Sequence, residues 1–458
     1  MHKYLYILTF LMVMLVGCDE EKNNTITTTS ENRVNVFSFY EDADNKGLTE
    51  VVYKVEHLSD TGRIYCADSL RYGTRLDSVV PYITYKSTPA LVQYHLPDTV
   101  VISTGADTLD FSRGPIYLMV QATDTIYKRW YRIDIHAHKA DPDLYVWRKL
   151  TDAIFAPQNC DVKAFCMGDV LYLLVNNGFE TRLYWSNNGH NWYLKEGAPL
   201  GLPTPCAVRD ILQCGDILYY TEGNFLYTSK DVLNWSTIDL TEKPFAVLNM
   251  LMSFDNKAWC VLQDTADAHL FLGVVANGNV QPVTEMYGLT NGVLPATFPV
   301  SDFASLPVKT SSERPRAMVI GGRTVDGTPV NTRWNFEYEP SVGYRMVDFS
   351  IEQPSFNSLT GVSVIQYDNQ LIMFGGIDND LSYRSNILYS DDEGMNWYLP
   401  DTAHNQLPEN YNARQQQAVV VCGDGRIYLI GGKTNTYTFS DVYCGYKNQL
   451  IWAAQKND

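Results

Sequence analysis

Short apolar runs separated by polar turns recur through the last two thirds of the chain. The clearest example lies between Tyr367 and Trp397, where an apolar run from Leu371 to Phe374 stops at Gly375-Gly376. A polar loop, a second short run and an acidic turn then lead to Trp397. Short runs bounded by glycine and aspartate are typical of strands joined by turns, and long stretches of helical periodicity are absent. The pattern predicts a strand–loop–strand–turn–strand unit and an all-β protein.

Copies of this unit repeat from Leu144 onward with a period of roughly 43 to 65 residues, at or above the propeller range. The turns that precede an apolar strand are Gly168-Asp169, Gly215-Asp216, Asp255-Asn256, Asp368-Asn369 and Asp424-Gly425, and Arg316 to Ile320 occupies the remaining place. The units end at Trp192, Trp235, Val280, Arg345, Trp397 and Trp452. Six blades are therefore predicted, and seven are the alternative because residues 288–312 have room for irregular strands.

A closed ring is the physical solution for such a repeat, because a lone four-stranded blade cannot bury both of its faces. Pairing of the strand around Trp147 with the C-terminal strands would close the ring. Upstream, residues 33–138 alternate in the strand period with a turn about every ten residues, which predicts a small β-sandwich. Residues 139–143 form the predicted linker, and residues 144–458 form the predicted propeller.

The N-terminus has the pattern of an export signal. Residues 4–16 are apolar, too few to span a bilayer core of about 30 Å as a helix but suited to a secretory signal. The run ends in Leu15-Val16-Gly17-Cys18. Residues 1–17 are therefore the predicted signal peptide. Residues 18–32 are the cysteine and a polar tether with nothing to bury.

Charge and cysteine usage narrow the functional classes. The formal net charge of −17 argues against nucleic-acid binding, which needs basic patches, and fits solubility. The sequence contains no C-x-x-C pair, so the cysteines lack the spacing of a zinc site. Because Cys166, Cys214 and Cys422 occupy one repeated position near the turns, we predict that they are small buried hydrophobic side chains. The sequence leaves disulfide pairing open, including a bond between Cys160 and Cys206.

The sequence carries no fingerprint of a hydrolase triad, zinc protease, P-loop or Rossmann site. We therefore predict no catalytic residue, no metal ligand set and no cofactor. Any site is expected where the inner strands of a propeller begin, because these points line one mouth of the central channel. The candidate ligand-binding residues there are Asp161, Arg209, Asp210, Asp302, Arg316, Arg414 and Gln416. Asp161 and Asp210 could serve as a glycosidase pair only at a separation of roughly 5–9.5 Å.

Several stretches resemble known families. The last unit, ARQQQAVVVCGDGRIYLIGG, resembles a kelch repeat, and Gly-Gly recurs at 321–322, 375–376 and 431–432. The stretch SDDEGMNW at 390–397 is similar to the sialidase Asp-box, and Asn187, Gly189 and Trp192 keep part of it, while Thr228 and Trp235 keep less. In sialidase-like propellers this box is an outer β-turn away from the active site. Segments within 33–138 resemble bacterial immunoglobulin-like modules.

The end of the signal resembles a bacterial lipobox, which implies cleavage before Cys18 and lipidation of that cysteine. The acidic residues 19–21 are similar to the surface-export signal of Bacteroidota lipoproteins. Taken together, the chain resembles a family of Bacteroidota envelope lipoproteins of unknown function. That resemblance implies a lipid-anchored protein of the outer membrane, and it brings no catalytic residues. The acidic residues imply exposure at the cell surface in Bacteroidota, whereas in enterobacteria the same Asp19 would imply retention at the inner membrane.

The functional hypothesis from sequence is a lipid-anchored, non-catalytic binding module of the cell envelope, with a glycan or an envelope protein as partner. The alternative is a divergent propeller glycosidase or sialidase-like enzyme. Whether the protein is an enzyme is left open, with the non-enzymatic hypothesis preferred. The ligand, the membrane leaflet and the oligomeric state are also left open.

Overall fold

The structure of the protein, a computed structural model, describes residues 28–448 except 60, 140, 142–143, 311–313, 351–356, 358 and 400–406. The predicted signal peptide, Cys18 and Trp452 lie outside the described residues. The chain divides into two compact units, Met1–Asp141 and Pro142–Asp458. Within the described ranges, no helix has the length and apolar character needed to cross a membrane.

The first unit contains two sheets around one hydrophobic core. Its strands are β1 (Val34–Phe39), β2 (Tyr53–His57), β3 (Thr61–Cys66), β4 (Pro81–Tyr85), β5 (Leu91–His95), β6 (Val100–Ile102), β7 (Ile116–Gln121) and β8 (Lys128–Asp134), with a 3-10 turn at Lys46–Leu48. Strands β1 and β4 form a ribbon, and the other six follow the order β2-β3-β8-β7-β5-β6. Phe37 and Phe39 of the ribbon pack in one core with Ile64, Leu118 and Tyr131 of the larger sheet. Two β layers around one core form a sandwich.

The second unit begins with a strand that is separate in sequence from its sheet, β9 (Tyr145–Thr151). The strands that follow are β10 (Asp161–Met167), β11 (Val170–Asn176), β12 (Thr181–Ser186), β13 (Tyr193–Leu194), β14 (Leu212–Cys214), β15 (Ile217–Glu222), β16 (Phe225–Ser229), β17 (Trp235–Asp239), β18 (Phe245–Phe254), β19 (Lys257–Asp264), β20 (Leu270–Ala276) and β21 (Asn279–Pro282). A 3-10 turn, Val208–Asp210, precedes β14.

The second half of this unit contributes β22 (Ala304–Val308), β23 (Arg316–Ile320), β24 (Arg333–Glu339), β25 (Gly343–Asp348), β26 (Ser363–Tyr367), β27 (Gln370–Phe374), β28 (Leu388–Ser390), β29 (Ala418–Val421), β30 (Ile427–Lys433) and β31 (Thr438–Lys447). In the described part of the chain these strands form six antiparallel sheets, each a meander that starts on its innermost strand. The predictions of an all-β chain and of six blades are confirmed.

The ring closes as predicted, through the strand that contains Trp147. Strand β9 pairs with β31 as the outermost strand of the sixth blade, and Trp147 lies opposite Gly445. Adjacent blades also share hydrophobic cores: Phe254 and Trp259 of the third blade pack with Phe336 of the fourth. Val162 and Leu173 of the first blade pack with Ile430 of the sixth. The ring therefore buries the blade faces that no single blade could bury alone.

The paired glycines end the second strands of the last three blades in a left-handed conformation. Gly375 has φ 61° and Gly376 has φ 93°. A Cβ atom on Gly375 would lie 2.4 Å from the main-chain oxygen of Arg414. Both the backbone angle and the packing exclude a side chain there. The glycine pairs therefore serve the fold.

Replacing Gly375 with alanine is expected to lower the free energy of unfolding by about 1–3 kcal/mol. The alanine side chain would be strained at the positive φ of this position and would clash with the backbone. Chemical denaturation measures the change. Gly178→Ala is the control, because Gly178 has a positive φ but a Cβ atom added there would meet no other atom within 4 Å. Equal losses for the two variants would show that the contact with Arg414 does not matter.

One expectation about the cysteines is wrong. Cys166 at the inner strand of the first blade forms a disulfide with Cys422, which follows the inner strand of the sixth. The two residues are therefore a covalent link at the ring closure and not independent hydrophobic side chains. Cys214, the third member of the repeated position, is free and buried, as are Cys160 and Cys206.

Three turns that follow the third strand of their blade share one hydrogen-bond pattern. In the clearest, Ser390 Oγ donates to Asp392 Oδ1 (2.8 Å) and Trp397 Nε1 donates to the main-chain oxygen of Gly394 (3.2 Å). The equivalent serine and tryptophan are Ser186 with Trp192, and Ser229 with Trp235. The turn of the second blade therefore begins at Ser229 and not at Thr228. All three serve to fix the turn, on the face opposite to the starts of the inner strands.

Candidate functional site

The starts of the inner strands surround a cavity of about 180 Å³ at the centre of the ring. Strands β10, β14, β22, β26 and β29 contribute to its lining. Apolar side chains such as Val162 and Val364 share the lining with Lys163, Arg209 and Gln416. We call the polar end of this cavity, formed by the residues that precede or begin the inner strands, the mouth.

Asp302 is the hub of the mouth. Its Oδ1 accepts from Arg209 Nη1 at 2.7 Å and from Gln416 Nε2 at 3.2 Å, and its Oδ2 pairs with Arg323 Nε at 3.2 Å. Burial acts to raise the pKa of Asp302, but the charges of Arg209 and Arg323 outweigh it and hold that pKa below its ordinary value. The carboxylate is therefore ionised and shared by two guanidinium groups.

Three consecutive blades are joined by main-chain hydrogen bonds at the mouth. The amide of Gly361 donates to the oxygen of Asp302 (3.1 Å), and the amide of Gln416 donates to the oxygen of Gly361 (2.8 Å). Asp302 and Gln416 adopt φ values of 53° and 57°. A left-handed conformation costs a non-glycine residue roughly 1 kcal/mol or more, and such residues cluster at functional sites. The fold holds these two side chains at the mouth at a cost in stability.

Lys163 and Asp210 form the second part of the mouth. Lys163 Nζ donates to the main-chain oxygen of Arg209 at 3.3 Å. Burial, reinforced by the charge of Arg209, lowers the pKa of Lys163 to about 8. Burial also raises the pKa of Asp210, although Arg209, Asn249 and Lys163 act in the opposite direction. Lys163 and Arg209 are therefore held beside each other, and the nearby carboxyl groups do not fully balance their positive charge.

Four of the predicted residues come together here: Arg209, Asp210, Asp302 and Gln416. Asp161 begins an inner strand as predicted, but its carboxylate pairs with Lys433 at 2.7 Å. Arg414 precedes an inner strand, but its side chain is buried in the sixth blade, where Nη1 lies 2.6 Å from Asp441 Oδ1. Phe439 and Tyr411 cover its guanidinium. Its role is structural.

The placement of Arg316 at the mouth is wrong. Arg316 begins β23, the second strand of its blade, opposite Val308 at the far end of inner strand β22. Its guanidinium pairs with Glu337 and Glu393 at that end. The true inner strand is hard to recognise in the sequence because it contains Pro307, a residue that argues against a central strand. Without β22, the pattern assigns β23 to the innermost place.

Lys163 and Arg323 are absent from the predicted set. Lys163 lies two residues after Asp161, so strand alternation puts both side chains on one side of β10. Arg323 directly follows the glycine pair 321–322, which returns the chain towards Asp302. These two local signals could have found them.

Four of the blades carry exposed apolar side chains on the same face of the ring as the mouth. They lie on loops between second and third strands, which the registers place on the same face as the inner-strand starts. The side chains are Phe179, Val325, Leu381 and Tyr437. Among the described residues, no group of three or more His, Cys, Asp or Glu side chains could hold a metal ion.

Comparison with known families agrees with this architecture. The model of the DUF6242 beta propeller domain matches residues 141–455. The model of the DUF6242 N-terminal domain, a domain of unknown function, matches residues 20–135. No curated protein matches the chain.

Proposed function

The chain belongs to the DUF6242 family, a β-propeller preceded by an N-terminal β domain, and from this premise we propose that it is a non-catalytic binding module of the bacterial cell envelope. Its ligand, a glycan or an envelope protein, binds at the mouth. The observation that carries the proposal is the mouth itself: a central cavity lined by polar and apolar groups, on a face that also carries exposed apolar side chains. Ligand sites combine apolar contact with a few oriented polar groups in this way.

The cellular location is part of the same proposal. The lipobox-like end of the signal supports a lipid anchor at Cys18 in the outer membrane of a Bacteroidota cell, and the acidic residues after it support surface export. The disulfide between Cys166 and Cys422 fits an oxidising compartment. Protease added to intact cells checks the outward position, because only an exposed chain is cleaved while the envelope is whole.

The kelch and Asp-box resemblances also belong to the proposal. The glycine pairs that end three second strands support the first resemblance, and the shared turns at Ser186, Ser229 and Ser390 support the second. Under this proposal both motifs fold the blades and neither touches the ligand.

A glycosidase is the second candidate, and the two carboxyl groups of the mouth favour it. Asp210 has a raised pKa and Asp302 a lowered one, and they interact electrostatically. Paired carboxyl groups with divergent pKa values are the usual acid and base of glycoside hydrolysis. Against this, Asp302 is shared by two arginines, which weakens it as a base or nucleophile.

We expect the chain from residue 24 onward, which keeps every described residue, to bind members of a glycan array or an envelope protein without hydrolysing labelled glycans. Product analysis after prolonged incubation checks the second part. Hydrolysis that Asp210→Asn abolishes, while Asp161→Asn leaves it unchanged, would replace the binding module with the enzyme. Binding to no glycan and no envelope component would reject the binding module.

A further inference from the structure

We propose that the mouth binds the carboxylate group of an acidic saccharide, held by Arg209 and Arg323 with Lys163 beside them. This inference rests on the proposed function and names the class of ligand. It follows from the charge balance of the mouth, from the donors that the protein leaves unused there, and from the shape of the cavity.

The mouth carries more positive than negative charge although the chain as a whole is strongly acidic, with a formal net charge of −17. Among the described residues, Arg209, Arg323 and Lys163 face two carboxyl groups, Asp302 and Asp210. Burial favours the neutral form of Asp210. Like charges held together in a partly buried site are unfavourable unless an anion joins them. An anionic ligand would relieve this repulsion.

The arginines of the mouth also have unused hydrogen-bond donors. Arg209 uses only Nη1, on Asp302, and within the described ranges its Nε and Nη2 have no protein partner. Arg323 uses Nε on Asp302 and Nη1 on the main-chain oxygen of Gly327, and its Nη2 is spare. A guanidinium presents its donors as a planar fork that matches a carboxylate. Arg209 therefore keeps Nε and Nη2 as a two-donor side for a ligand, and Arg323 adds the single donor Nη2.

The surroundings favour a carboxylate that belongs to a sugar. The cavity of about 180 Å³ has room for a small substituent and a few waters. The rest of the ligand would lie across the rim, where Phe179 and Tyr437 are exposed. Aromatic faces at a rim can stack on a sugar ring while the polar group points inward. Gln416 Oε1 is buried and has no hydrogen-bond partner among the described residues, so it supplies an acceptor for a hydroxyl group of the same ligand.

Calorimetric titration of the chain from residue 24 onward with glucuronate, glucose and inorganic phosphate tests the proposal. We expect glucuronate to bind at least about tenfold more tightly than glucose, the effect of one lost charged hydrogen bond. Arg209→Ala and Arg323→Ala should each weaken glucuronate binding by about tenfold or more. Arg426→Ala, which removes an exposed arginine paired with Asp424 on the opposite face, should leave it unchanged.

A second variant separates the loss of a charge from the loss of the fold. Lys163→Met keeps most of the length of the side chain and removes its charge. In the parent protein, Lys163 is faced by Arg209 and Asp210, and its pKa of about 8 makes it lose its charge as the pH rises. Anion affinity should therefore fall between about pH 7 and pH 9 in the parent. In Lys163→Met, that fall should be smaller and the affinity at pH 7 lower.

The outcomes separate this inference from the proposed function. Equal binding of glucuronate and glucose, or unchanged binding in Arg209→Ala, would overturn the carboxylate site while glycan binding on the array still supports the binding module. Tighter binding of phosphate than of glucuronate would also overturn it. Weaker glucuronate binding in both Arg209→Ala and Lys163→Met, with thermal unfolding unchanged, supports it.

Discussion

Replacing Arg414 with alanine is expected to lower the free energy of unfolding by about 3–5 kcal/mol, the usual cost of breaking a buried ion pair from one side. The arginine side chain is 1% exposed, and its Nη1 lies 2.6 Å from Asp441 Oδ1. The same nitrogen donates to the main-chain oxygen of Gly431 at 3.0 Å. Alanine would leave the Asp441 carboxylate and that carbonyl unpaired inside the sixth blade. Urea denaturation followed by fluorescence measures the loss.

Two comparisons make the Arg414 experiment decisive. Arg426→Ala breaks an ion pair whose side chains are 52% and 44% exposed, and should cost about 0–1 kcal/mol. The double variant Arg414→Met with Asp441→Leu removes both charges and should recover much of the loss, because no buried charge is left unpaired. If Arg414→Ala lowers the free energy of unfolding by no more than Arg426→Ala does, burial of the ion pair is not what stabilises this blade.

Removing the disulfide by replacing Cys166 and Cys422 with serine is expected to lower the free energy of unfolding by about 2–5 kcal/mol. The bond joins residues 256 positions apart. A cross-link over so long a segment strongly restricts the unfolded chain. It also joins the inner strands of the first and last blades, where the ring closes. Thermal unfolding with and without reductant measures the effect.

The disulfide prediction has an internal control. Cys214→Ser changes a free cysteine at the equivalent position of the second blade. That variant should keep the response of the parent protein to reductant, whereas the double serine variant should lose it. A parent protein whose unfolding temperature is the same with and without reductant would contradict the structural role of the bond.

The architecture was predictable because it depends on local and repeated signals. Turns such as Gly168-Asp169 and Asp424-Gly425 recur at comparable places, and the glycine pairs end equivalent strands. The partner of the strand around Trp147 followed from the need to close a ring.

The site was less predictable because its contacts are distant in sequence. Asp302 meets Arg209 across 93 residues and Gln416 across 114. A single sequence indicates that each residue lies near the start of a strand but not which side chains point at each other. Arg414 shows the limit, since it precedes an inner strand as Arg209 does, yet it turns into the blade towards Asp441. The disulfide escapes prediction for the same reason.

The closing strand has a consequence for the order of folding. Strand β9 is made first among the strands of the propeller, and its partner β31 is the last of those described. Pairings that are distant in sequence form slowly because the chain must lose entropy before they stabilise it. Until β31 is available, β9 has an unpaired edge that could join a wrong strand. The propeller can therefore complete its ring only after β31 has been made.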